Sequence, residues 1–406
     1  MPNSARKPKK IPAPSYVSYE DIDIVGEAAL FYGFTPLKTL TIHHEDVERA
    51  KSISEGEVVV DHDNHEIGAS VRLDEKISLL SLYDKERMFT LPQPLMFFYR
   101  KNTRHRNELH YGLDILGADK SIAEAVLVKA ALAILSETGE QGLHVEINSI
   151  GDKESLARFT KEITAYYRKH LADLPPACRP MVKNDVFALL GCNHDKCKEL
   201  ADNCPKAINF LSEKSRTHFK EVLEYLETLE VPYSINNTLV ANRDYCSETI
   251  FEIRRDEADG HPLAIGIRYD TLAKRIGHKK EVASVGVSIA VPSRHVPKSK
   301  TLTKSKIDKI LHPSICFMQL GFEAKLLSLS VLEVLRQHRI PLVHSIMRDK
   351  MAGQIGLVEK SRAPVVMIMG KKEAMEKSVI VRDAETRSQD SILITDTPAK
   401  LRKYKI

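Results

Sequence analysis

Two hydrophobic periods run along this chain, one of three to four residues and one of two, and their order divides it into regions. From Tyr19 to Tyr32 the positions Ile22, Ile24, Val25, Ala28, Ala29 and Leu30 predict a helix that Gly33 stops. LKTLTI reads as a strand, and a hydrophilic stretch, 43 to 66, separates it from alternating strands around Ala69 to Leu73 and Leu95 to Tyr99. A helix near 76 to 85 and a turn at LPQP, 91 to 94, fall between these last two strands. Lys120 to Thr138 is the strongest helix: Ala125, Val128, Leu132 and Leu135 share one face, and Ile122, Val126 and Ala133 widen it, which predicts burial. HVEIN is a strand, and Asp152 is placed to cap the helix after it. Residues 172 to 206, rich in Pro and Cys, break the pattern as a small insertion. A helix at 212 to 229 follows, then LVANRDYCSETIFE at 239 to 252 as strand, polar break and strand, then the strands GIRYD and VGVSIAVP.

KSKTLTKSKIDK, 298 to 309, reads as an exposed Lys-rich linker, after which strands and helices alternate. ICFMQL, helix 322 to 338, PLVHSI, helix 350 to 361, VVMIM, a short helix after Gly370 and VIVRD predict a separate α/β domain. The expected organisation is a basic disordered tail at 1–17, a core at 18–297, a linker at 298–311 and a second domain at 312–406.

Composition narrows the class without choosing a function. With 43% hydrophobic and 28% charged residues among 406, the chain is that of a globular protein large enough for more than one core. The net charge of +5 is compatible with a polyanionic partner and is also common among enzymes. No apolar run reaches the roughly 18 residues of a membrane span. The opening MPNSARKPKKIPAPS lacks a signal peptide's apolar centre. A cytoplasmic protein without a membrane partner is expected, its six cysteines reduced.

Four stretches in order, TRHRNELHYGLDILG, VEINSIGD, LVANRDYCSETIFE and GIRYDTL, resemble the histidyl-tRNA synthetase family of class II aminoacyl-tRNA synthetases. TRHRNELHYGLDILG, Thr103 to Gly117, is similar to that family's GRYRQFHQFGVEVFG, and VEINSIGD, Val145 to Asp152, to its LEINSLGD. LVANRDYCSETIFE is similar to LVRGLDYYTRTVFE, and GIRYDTL, Gly266 to Leu272, to GGRYDGL. The C-terminal part, with Lys350, Gln354 and SRAPVVMIMGKKE, resembles the family's anticodon-binding domain, and Lys350 and Gln354 are the implied tRNA contacts. The resemblance runs from about residue 18 to the end. It implies an α+β fold, a class II antiparallel sheet with flanking helices followed by an α/β anticodon-binding-like domain, and a homodimer.

The same resemblance exposes departures in the catalytic positions. The arginine that follows LV in the family, a contact of the α-phosphate and carboxylate, falls at Ala241; Arg243, two positions on, is a candidate substitute or a partner of Asp244. The family's GLER corresponds to Ala290, Val291, Pro292 and Ser293, with Arg294 one step beyond. Its first motif 2 arginine matches Arg100 loosely, whereas Arg104 and Arg106 match the arginines of RYR. The motif 1 proline falls at Leu40, which weakens the expectation of the usual dimer contact. In the amino-acid pocket LRPEGT corresponds to VRLDEK, so glutamate becomes Asp74 and threonine becomes Lys76, and the glutamine of HQ becomes His110. Asp244, Tyr245, Tyr269 and Asp270 are retained, as substrate contacts or as sheet filling.

Phosphoryl chemistry rests on cations aimed at the phosphates, and losing one such contact costs roughly 3 kcal/mol or more in the transition state. Three lost or displaced cations therefore point to a non-catalytic paralogue that binds tRNA, another structured RNA or a protein. The alternatives are a divergent histidine-tRNA ligase using ATP and Mg, and a histidine-sensing regulatory subunit of ATP phosphoribosyltransferase; the last usually lacks an anticodon domain. Separately, Cys178, Cys192, Cys197 and Cys204 in the insertion are either a zinc site with loose spacing or buried thiols. The lysines of 298 to 309 read as a solvated run or as a tRNA-backbone contact.

Overall fold

A computed structural model describes residues 14–54, 69–101, 107–240, 242–255, 261–297 and 301–404. The first part comprises α1 (Ile24–Phe31), β1 (Thr35–Pro36), α2 (His44–Ile53), α3 (Leu73–Lys85), β2 (Leu95–Arg100), β3 (Glu108–Leu116) and α4 (Ile122–Glu137). It continues through β4 (Leu143–Gly151), α5 (Lys153–Lys169), α6 (Met181–Asn184), α7 (Asp195–Asn203), α8 (Glu213–Thr228), β5 (Tyr233–Ile235), β6 (Ser247–Arg255), β7 (Ala264–Arg268), α9 (Leu272–Arg275) and β8 (Ser284–Pro292). The second part holds α10 (Lys304–Leu311), β9 (Ile315–Gln319), α11 (Phe322–Gln337), β10 (Val343–His344), α12 (Met351–Ser361) and β11 (Val365–Met369). It ends with α13 (Lys371–Met375), β12 (Ser378–Asp383), β13 (Gln389–Leu393) and α14 (Thr397–Leu401).

Among the described residues the first part builds an eight-stranded sheet in the order β1-β2-β3-β8-β7-β6-β4-β5. Its central pairings are antiparallel; only the edges, β1 with β2 and β4 with β5, are parallel. Alternation along the strands gives the sheet two different faces. Tyr111, Leu113 and Ile115 of β3 and Val285, Val287 and Ile289 of β8 join the apolar core that includes α1, α4 and α8. Tyr99 and Leu116 on the other face pack with Leu73, Ile77 and Leu80 of α3. Burial of α4 is as expected: twelve of its residues are buried, because both flanks of its apolar stripe meet other elements.

The second part is a five-stranded sheet ordered β10-β9-β11-β12-β13, parallel on the β10-β9-β11 side and antiparallel beyond. One continuous apolar core runs from the first sheet's helices into this second unit. Polar contacts cross as well: Tyr32 Oη donates to Glu333 Oε2 at 2.6 Å, and Arg336 pairs with Glu137.

Several expectations change. LKTLTI is not a strand; Thr35 and Pro36 pair with β2, and Leu37 bridges Val17. Within the hydrophilic 43 to 66 stretch, His44–Ile53 is helical, and 55–68 lies outside the described residues. Ala69 to Leu73 is not a strand but the approach to α3, whose Leu73, Ile77 and Leu80 recur at helical spacing and are fully buried. Part of the Lys-rich linker is α10, capped by Thr303 and anchored by buried Ile307; 298–300 is not described. The N-terminal tail, 1–13, also lies outside the described residues. The insertion folds with α5 into a side lobe, where Phe159, Ile163 and Tyr167 pack on Leu174, Val186 and Leu189. Asp152 caps α5 as expected, accepting from Ser155 N at 2.9 Å.

Candidate functional site

The α3-covered face of the sheet carries the positions that the resemblance implies for an amino-acid pocket, and strand register shows what stands there. Opposite residues of antiparallel strands share a face, so the pairs Tyr99 and Gly112, Gly112 and Ser288, Asp114 and Gly286, and His110 and Ala290 all line one side. The small residues leave a hollow in this floor, and protein side chains fill it.

Lys76, in the first turn of α3, places its Nζ 2.6 Å from Asp114 Oδ1, with 1% and 0% of the two side chains exposed. Tyr99 Oη donates to Asp114 Oδ2 at 2.9 Å, and Tyr269 Oη donates to Asp114 Oδ1 at 2.6 Å. The carboxylate thus holds three donors, the compensation a buried charge needs. Burial pushes the Tyr99 and Tyr269 phenols well above their usual range, and the neighbouring Asp114 carboxylate pushes the same way. Beside this group, Lys101 Nζ lies 2.7 Å from Glu75 Oε2 and donates to Ser288 Oγ at 2.7 Å. Burial holds the Lys101 ammonium below its ordinary range, and the Glu75 carboxylate opposes that shift. The packing is close enough that a Cβ on Gly286 would fall 1.8 Å from Asp114 Oδ1 and 2.7 Å from Lys76 Nζ.

The expected substrate residues are distributed unevenly around this network. Asp74 is buried and paired with Arg72 at 2.6 Å, and it also accepts from Glu75 N. His110 is buried with Nε2 at 3.3 Å from Glu108 Oε2. Tyr245 and Tyr269 are buried in one apolar cluster with Tyr99, so the structure brings these pocket tyrosines together. Asp244 is exposed, its N–H donating to Asn242 Oδ1. Asp270 accepts from Ser284 N at 2.7 Å and from Arg268, and so is occupied by the fold. Ala241, Arg104 and Arg106 lie outside the described residues.

Both candidate catalytic arginines point elsewhere. Arg243 does not pair with Asp244: it reaches across to the side lobe, where it meets Asp185 at 2.7 Å and lies 4.1 Å over the Phe187 ring. Arg100 pairs in register with Tyr111, whose side chain belongs to the α1 face, so strand alternation puts it on the far side from Tyr99. There it borders a cleft with Asp23, Leu109, Ser293 and the exposed Arg294. The cation from this strand end that does reach the pocket face is Lys101. Its signal in the sequence, which motif matching does not catch, is the two-residue spacing from Tyr99. Glu75 and Asp114 were likewise missed, although Asp114 falls at the glutamate of the quoted GVEVFG.

Behind the sheet, Arg268 is buried and donates from Nε and Nη2 to Glu124 at 2.7 and 2.8 Å, and Glu124 also meets His218 Nε2 at 2.8 Å. Burial raises the Glu124 carboxyl, but Arg268 and His218 overcome this and bring it down to about 2.

In the second unit, Lys350 is exposed at the N-terminal end of α12, as an RNA contact requires. Gln354 is not presented to a partner: it is 1% exposed, accepts from Gln319 N and donates to Gln319 O, tying α12 to β9. In the side lobe the sulfurs of Cys178, Cys192 and Cys197 lie within 4.8 Å of one another. Cys204 stays out of this group, its Sγ directed at Pro205 O.

A mainly antiparallel sheet with helices on both faces, joined to a second sheet unit, is the class II synthetase-like fold that the motif resemblance implied. No protein-family model matches the chain. It is 29% identical over 299 residues to a histidine-tRNA ligase of Fervidobacterium nodosum, covering 73% of this chain and 70% of that one. It is 24% identical over 393 residues to the histidine-tRNA ligase of Bacillus subtilis, covering 92% of each. Among solved structures it is similar to apo histidyl-tRNA synthetase of S. aureus, at 18% identity and TM-score 0.49 over 93% of both chains. With the motifs in the same order, the chain is similar to histidine-tRNA ligases over most of its length.

Proposed function

We propose that this protein keeps the synthetase scaffold without activating histidine, and acts as a tRNA-binding or partner-binding paralogue. The observation that carries the reading is the filled sheet face: Lys76 and Lys101 are already neutralised by Asp114 and Glu75 where the motif resemblance implies an amino-acid pocket. A buried pair of this kind holds its partners, because freeing one charge leaves the other unpaired at a cost of about 3–5 kcal/mol. Among the described residues the fit to ATP and Mg is poor: Lys76 and Lys101 are paired with Asp114 and Glu75, and Arg100 and Arg243 face away.

The second unit supports the RNA side of the proposal. It retains a sheet with flanking helices and exposed cations, Lys350 on α12 and Lys304, Lys306 and Lys309 on α10. Phosphate contacts of this kind give affinity that falls steeply with salt. The relatives are named as ligases of tRNA, and a homodimer in the cytoplasm is the assembly and place proposed for this chain. No helix among the described residues is long and apolar enough to cross a membrane.

Gel-shift titration with total tRNA at two salt concentrations, beside a charging assay on the same tRNA at high protein, tests the proposal. Salt-sensitive binding without charged product is expected. Charging would establish the ligase reading. Absence of binding at low salt would remove the RNA half and leave a protein partner, to be sought by pull-down.

A further inference from the structure

We infer that the side lobe holds a zinc ion through Cys178, Cys192 and Cys197, with the fourth position open toward solvent. The lobe reaches these residues by two separate pieces of chain: the turn before α6, which carries Cys178, and the loop running into α7, which carries Cys192 and Cys197. Nothing in secondary structure requires three thiols from such segments to converge, yet all three sulfurs lie within 4.8 Å of one another. Their spacing suits a metal. Tetrahedral zinc with Zn–S bonds of about 2.3 Å sets its sulfurs roughly 3.8 Å apart. Cys178 Sγ and Cys192 Sγ are 3.7 Å apart.

The surroundings agree with a structural ion. Cys178 and Cys197 are buried while Cys192 is half-buried, so the open side is the one facing solvent, next to exposed His194. The ion's last bond goes there, to water or to a side chain of that loop. Binding releases the thiol protons to solvent and changes no oxidation state.

A metal also answers a stability need of this lobe. Its helices α6 and α7 are four and nine residues long and its core is small, the circumstance in which a metal staple contributes most. Because Arg243 lies on Phe187 of the same lobe, the staple would also fix the segment that follows the undescribed Ala241.

Metal analysis of the full chain, purified without chelator and then equilibrated with zinc and desalted, tests the inference. Roughly one zinc per chain is expected. Cys178→Ser and Cys197→Ser should each lower retained zinc about tenfold or more, whereas Cys204→Ser and Cys316→Ser keep it. Since a serine variant could lose metal by unfolding, cobalt added to the metal-stripped wild-type chain gives an independent reading. Thiolate-to-cobalt charge-transfer bands with tetrahedral visible bands are expected. Zinc-free wild-type protein without those bands, unchanged zinc in Cys178→Ser, or a disulfide joining Cys178 to Cys192 in reduced preparations would each overturn it.

Discussion

Lys76 Nζ stands 2.6 Å from Asp114 Oδ1 with both side chains sealed from solvent, so a buried ion pair occupies the sheet face that α3 covers. A threonine at position 76, as in the quoted LRPEGT, could not span this distance; a lysine does, and its charge then needs a buried acceptor. Removing only one member should be costly. Lys76→Met is expected to lower stability by about 3–5 kcal/mol in urea denaturation, because Asp114 stays buried without its cation. The double variant Lys76→Met/Asp114→Leu should lose less than the sum of the two single changes. Gly286→Ala, which drives a Cβ into this pair, should cost a further 1–3 kcal/mol, roughly, by overpacking.

Arg243 offers a contrast, since its contacts are partly exposed. Its Asp185 pair and its place over Phe187 predict a loss of only about 1 kcal/mol on Arg243→Ala. The affinity for ATP analogues, whatever its value, should not change. A selective loss of nucleotide binding in this variant would return Arg243 to the phosphate site.

The Glu124 cluster sets an acid limit. Its carboxyl, ordinarily at 4.5, is held at about 2 in the folded chain, so its contribution is complete above 4.5 and is lost as pH falls from there toward 2. For His218, burial pushes the imidazole down, but Glu124 outweighs it and the net shift is upward from 6.5. That contribution is complete below 6.5 and disappears as pH rises through the folded value. Thermal melts should show Glu124→Gln flattening the acid limb and His218→Gln removing the second dependence.

His344 reports on the junction between the two sheets. Burial against the first unit holds its imidazole at about 4, with Nε2 at 3.2 Å from Tyr32 O. The unfolded chain takes up this proton below 6.5 while the folded chain does not, so stability should fall between 6.5 and about 4 and then level. Denaturant titrations across this range should lose that component in His344→Gln.

Long periodic segments were the legible part of the fold. The apolar faces of α4 and α8 and the strands β4 and β8 follow from spacing alone, because burial on one or both sides leaves a repeat. LKTLTI was read as a strand from alternation, yet its pairing ends at Pro36, where the edge of the sheet runs out. β13, QDSIL, carries no apolar alternation because it is an exposed edge strand. The site was legible by position and not by direction. Motif matching located Asp74, Lys76, His110 and Tyr269, but only strand register shows that Arg100 faces α1 and that Lys101 faces the pocket. Nor could spacing show that Arg243 bypasses adjacent Asp244 for Asp185, 58 residues away. Gln354 was equally deceptive, since a buried amide serving β9 looks in sequence like any exposed polar residue.

Histidine-dependent ATP–pyrophosphate exchange at high protein concentration tests the central claim most directly, because it reads activation without needing tRNA. Exchange no faster than the histidine-free background is the predicted result. A rate clearly above that background, rising with histidine and abolished by Lys101→Met, would contradict the claim: the buried pairs would then open to admit both substrates, and the protein would be a working ligase.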